Sequence, residues 1–139
     1  MNAFARPLII SAFLLSVSAS AQAQARLTIV NQSQRDLTVK VMKMDDTEDT
    51  LHGRMTVPPM SSRTTSFSAT GTYFTKTMAI IAGRDPIYQK GQPFRVYVGS
   101  GGYSILTLTF TIIESAVPQL TDGRPISRDE FEKGTTPRR

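Results

Sequence analysis

The sequence predicts an all-β fold: a small antiparallel, immunoglobulin-like sandwich of about seven strands with a short C-terminal helix. Three observations carry that expectation. Seventeen threonines follow residue 26, set among Val, Ile, Tyr and Phe. These β-branched and aromatic types fit a pleated surface. Three stretches alternate apolar and polar residues with a period of two, and no stretch before residue 113 keeps a helical period. A small closed β-barrel is the alternative that the same pattern allows.

Residues 1–25 read as an export signal. Arg6 supplies the positive charge, Leu8 to Val17 form an apolar run of ten, and small residues with Ala-x-Ala spacing follow to Ala25. Ten residues rise only about 15 Å as a helix, against about 30 Å of hydrocarbon, so a membrane span is the poorer reading. Cleavage is expected after Ala23 or Ala25. The Ala-Gln-Ala-Gln-Ala style is that of a bacterial signal, so the mature chain is expected in the periplasm or outside the cell, and no later apolar run reaches transmembrane length.

The strands follow in order. Leu27–Val30 opens the domain. Leu37 to Lys43 alternates, with Leu37, Val39 and Val41 on one face and Thr38 and Lys40 on the other. Arg54–Val57, Ser62–Ser68 and Tyr73–Ala82 come next. Gly71-Thr-Tyr73 matches a tyrosine corner, whose hydroxyl bonds back to nearby backbone. Phe94 to Val98 turns Phe94, Val96 and Val98 inward and Arg95 and Tyr97 outward. Tyr103 to Ile113 has Leu106, Leu108, Phe110 and Ile112 on one face and carries neither charge nor proline. It is expected as a buried central strand; at an edge it would invite strand addition, with Glu114 as a gatekeeper.

Turn residues separate these runs at Asn31–Asp36, Pro58–Ser61, Ala69–Gly71 and Gly99–Gly102. The domain therefore covers 26–114, and 115–139 is a C-terminal extension. Ser127-Arg-Asp-Glu130 fits a capping box and predicts a short helix near 128–133, with Phe131 available to pack and Gly134 as the stop.

Composition narrows the chemistry. The chain has no Cys and one His, so disulfides, thiolate metal sites, lipid-modified cysteine and cysteine nucleophiles are excluded. His52 lies beside Asp45–Asp49, but no Gly-x-Ser-x-Gly elbow supplies a nucleophile. The acidic run departs from the calcium-loop template, with Thr50 and Thr56 where Gly and Glu belong. Gly99–Gly102 lacks the Lys and following helix of a phosphate loop. Neither a cofactor nor a metal is expected.

Charge is unevenly spread. Residues 26–50 sum to −1 and 114–139 to zero, whereas 51–113 carry +5 with Asp85 as the one acid. That surplus suits an envelope protein or an anionic envelope component, either a lipid headgroup or lipopolysaccharide. No nucleic-acid module is present. Gly83 to Pro93 is the longest strand-to-strand connection after residue 54, and long loops on a rigid scaffold often carry binding. Arg84, Asp85, Tyr88 and Lys90 in that loop, with outward Arg95 and Tyr97, are the expected binding residues. The sequence thus points to an exported, non-enzymatic binding or adaptor protein. The alternatives are a structural subunit forming homo-oligomers by strand pairing through Tyr103–Ile113, and a small hydrolase using His52.

Overall fold

The computed structural model describes residues 24–115, 117–121 and 123–134. The expected signal segment up to Ala23 and the last five residues of the extension lie outside the described residues. Strands β1 (Ala25–Asn31), β2 (Asp36–Lys43), β3 (Thr50–Val57), β4 (Ser61–Phe67) and β5 (Gly71–Ile80) follow the expected runs, with bounds extended by a few residues. Then come β6 (Ile87–Lys90), β7 (Phe94–Val96), β8 (Val98–Gly99), β9 (Gly102–Tyr103), β10 (Ile105–Phe110), β11 (Ile112–Ile113), β12 (Gln119–Leu120) and β13 (Arg124–Pro125). Helix α1 (Arg128–Glu132) ends the described chain.

Two main sheets form the sandwich. One has the order β10-β1-β4, and the other has β13-β6-β5-β2-β3, with β7 pairing the other end of β5. They stay separate sheets rather than closing into a barrel. Every pairing is antiparallel except β1 with β10, which run parallel. The core lies between the sheets: Leu27 and Ile29 from β1, Leu37, Val39 and Val41 from β2, with Val57, Phe67, Tyr73, Val96 and Phe110. The Tyr73 hydroxyl donates to the Ala69 carbonyl at 3.0 Å, so the tyrosine corner is formed.

Two buried polar side chains tie the β1–β2 turn. The Asn31 amide donates to the carbonyls of Arg35, Val57 and Pro58, and its oxygen accepts from the Ser33 amide and hydroxyl. Arg35, wholly buried, donates to the carbonyls of Ala79 and Asp85 at 3.1 and 2.9 Å and forks onto the Glu114 carboxylate at 2.8 and 3.1 Å. Such a guanidinium fork satisfies a buried charge with fixed geometry. It joins the β1–β2 turn to the end of β5 with its following loop and to the segment after β11.

Three expectations are corrected. Tyr103–Ile113 is not one central strand: β9, β10 and β11 divide it, and β10 lies at the edge of its sheet because only β1 pairs with it. The connection 83–93 is not all loop, since Ile87–Lys90 pairs with β5 as β6. Lys40, expected on a polar outer face, is fully buried because α1 packs over that face. The helix itself forms as expected, with the Ser127 hydroxyl accepting from the Glu130 amide at 3.1 Å.

Candidate functional site

The loop 83–86 runs into β6, and the chain returns beside it as residues 117–126. Two contacts fix this return. The buried Gln89 donates through Nε2 to the Thr121 carbonyl at 2.6 Å, and the Ile126 amide donates to the Tyr88 carbonyl at 3.0 Å. Gly123 has φ +142°, and a Cβ there would lie 2.3 Å from the Lys90 carbonyl oxygen, so only glycine permits so close an approach.

Between loop and return segment lies an open cleft of about 810 Å³. Its walls mix apolar and polar surface: Pro86, Tyr88, Val117, Pro118, Leu120 and Ile126 supply the apolar part, and Gln89 with the exposed Arg84 and Asp85 the polar part. Val117 is 72% exposed, a large aliphatic side chain left in water at the wall of a concave site. Apolar lining with a few polar groups is the usual composition of a binding cleft.

The Arg84 charge at the cleft is already engaged. Arg84 Nη1 lies 3.4 Å from Glu114 Oε1, and its Nη2 donates to the Ser115 carbonyl. The hydrogen bonds from Arg35, with the nearby Arg35 and Arg84 charges, hold the Glu114 carboxyl below the usual 4.5. The loop is therefore anchored from beneath by Arg35 and from the side by Glu114.

A second feature emerges only from strand register. Arg54 pairs Lys40, Lys40 pairs Lys76, Lys76 pairs Lys90, and Lys90 pairs Arg124. Directly paired residues share a face. Five cations thus form one row across five strands, spanning four gaps or about 19 Å. Its centre is covered. Lys40 Nζ donates to the Phe131 carbonyl at 2.5 Å, and Lys76 Nζ donates to the carbonyls of Glu130 and Lys133 at 2.9 and 3.0 Å. These carbonyls form the C-terminal end of α1, where cations are favoured. Burial foremost, then the neighbouring Lys76 charge, lowers Lys40 below its ordinary 10.5; burial likewise lowers Lys76, against a raising influence from Glu130. Lys90, half-buried, lies with Nζ 4.6 Å from the Phe74 ring centre.

The six expected binding residues therefore divide. Arg84, Asp85 and Tyr88 line the cleft, and Tyr88 also packs against the Phe131 ring at 5.6 Å. Lys90 belongs to the cation row. Arg95 and Tyr97 lie elsewhere: Arg95 pairs Thr72, whereas Tyr88 pairs Met78, six residues along β5 or about 20 Å away. Sequence reasoning missed Arg35, Val117, Leu120 and Ile126, which no local pattern marks. His52 stacks on Phe67 at 4.5 Å, meets the Tyr73 edge at 5.5 Å, and has Nε2 3.0 Å from the Ser66 carbonyl. Among the described residues, no group of three His, Cys, Asp or Glu is placed to hold a metal ion. No helix there is long and apolar enough to cross a membrane.

Comparison of the chain with protein-family models, with curated proteins and with solved structures gives no match.

Proposed function

We propose that this is an exported, non-enzymatic binding or adaptor protein of a bacterial envelope, and that the cleft between 83–89 and 117–126 holds its partner. The observation carrying this reading is the open cleft on a rigid mount, with the aliphatic Val117 exposed at its wall. A protein partner is favoured over an anionic headgroup, because Arg84 already faces Glu114 and the middle of the cation row is under α1. The cleft suits apolar side chains of an extended segment, with Asp85 available to a basic residue beside them.

Export is part of the proposal, and the fold bears on where the signal would be cut. Ala25 is fully buried and pairs Phe67 in β1, so cleavage after Ala23 keeps a core residue that cleavage after Ala25 removes.

A photo-crosslinking residue placed at Val117, with a control at Arg63 on β4, tests the site in an envelope extract. One protein captured from position 117 at low and high salt, and absent from position 63, is expected. Equal capture at both positions, or none at 117, overturns the assignment. Recovery of anionic lipid or lipopolysaccharide that is lost at high salt would move the function to the exposed cations.

A further inference from the structure

We infer that β10 is a self-association strand, and that its occupant is a second copy of this chain paired antiparallel about a two-fold axis at Thr107. This goes beyond the cleft and does not depend on it.

The backbone bonds define the free edge. Arg26 donates its amide to the Ser104 carbonyl at 3.0 Å, and Gln32 donates to the Phe110 carbonyl at 2.8 Å. In the continuous parallel ladder between them, alternate residues face the partner strand. Leu106, Leu108 and Phe110 therefore direct their amides and carbonyls at β1. Ile105, Thr107 and Thr109 direct theirs away, and β1 is the only strand paired with β10 among the described residues.

The free stretch is bounded at both ends. Ser104 donates its amide to the Tyr97 carbonyl at 2.9 Å. At the other end Thr111 accepts from the Thr121 amide and donates to the Thr121 hydroxyl, at 3.1 and 3.2 Å. Five residues, Ile105–Thr109, remain open with three amides and three carbonyls.

That set is self-complementary. With Thr107 opposite Thr107 of the second copy, each exchanges both bonds with the other. Ile105 then exchanges both bonds with Thr109 of the copy, and Thr109 with Ile105. All six groups on each strand are satisfied. The faces agree too, because paired residues in this register share parity. Leu106 meets Leu108 on the half-buried inner face, and Ile105, 62% exposed, meets Thr109 outside. No charged residue occurs between Gly102 and Ile113, so nothing on the strand repels a copy of itself.

The chain has no cysteine, which makes the register directly readable. Thr107→Cys places two thiols on the axis, with Cα atoms about 5.5 Å apart, inside the disulfide range. Under mild oxidation of the otherwise full chain, a covalent dimer from Thr107→Cys and none from Thr109→Cys is expected. A mixture of Ile105→Cys and Thr109→Cys should give the mixed dimer. Sedimentation should show concentration-dependent doubling of mass. Thr107→Pro should abolish it while leaving the fold intact, since that amide is not used by β1. Thr107→Lys, which sets like charges directly opposite, should weaken it about fivefold at low salt. Strictly monomeric sedimentation at all concentrations, or equal crosslinking of the Thr107→Cys and Thr109→Cys proteins, overturns the inference. Pairing of β10 with a foreign strand instead of its own copy overturns it equally.

Discussion

Strands β2 and β10 make an instructive pair. β2 contains Asp36, Lys40 and Lys43, yet six of its eight residues are buried. β10 contains no charge at all, yet only Phe110 is buried. The difference is the number of neighbours. β2 lies between β3 and β5, covered on one face by the core and on the other by α1, whereas β10 has β1 on one side and, among the described residues, nothing paired on the other. Composition describes what a strand tolerates; its place in the sheet decides what it meets.

The contrast can be measured by urea denaturation. At protein concentrations low enough to keep the chain monomeric, Leu37→Ala in β2 should cost about 3 kcal/mol, as for a fully buried leucine, whereas Leu106→Ala in half-buried β10 should cost about 1 kcal/mol. Equal costs would mean that the edge is covered in solution. Arg35→Met should cost about 2 kcal/mol, because the carbonyls of Ala79 and Asp85 lose their donor. The same variant should loosen the cleft loop, seen as faster amide exchange over 83–87.

A smaller effect should follow pH. Glu114 has a folded pKa depressed below 4.5, so its contribution is full above that value and is lost as pH falls through the folded pKa. Glu114→Gln should therefore flatten part of the acid-side fall in stability. The smallest change is expected at Lys40→Met. It removes a donor to the Phe131 carbonyl but also a buried charge beside Lys76, so the net should stay within about 1 kcal/mol. A large loss would show that the ammonium itself holds α1 in place.

What was legible in the sequence follows the same division. Alternation identified the inner residues Leu37, Val39, Val41 and Val96, because a period of two assigns faces without any partner. Gly71-Thr-Tyr73 and Ser127–Glu130 were legible because their bonds span only four and three residues. Long-range placement was not. Arg54, Lys40, Lys76, Lys90 and Arg124 align only once four registers are set, and Arg35 is buried through partners 44, 50 and 79 positions away. Arg84, Asp85 and Tyr88 were placed together correctly, on one cleft, because they are close in sequence. Arg95 and Tyr97 fell away because a shared outward direction does not imply a shared end of the sheet.

The position of β1 also bears on the order of folding. This first strand lies between β4 and β10, so its two neighbours follow it by roughly thirty to forty and about eighty residues. A chain emerging from the ribosome cannot complete that sheet until nearly all of the domain has been made, and the intervening loops must close first. The molecule should consequently fold slowly for its size and remain open during synthesis. For a protein proposed to be exported, a late-closing first strand would leave time for translocation before the sandwich locks.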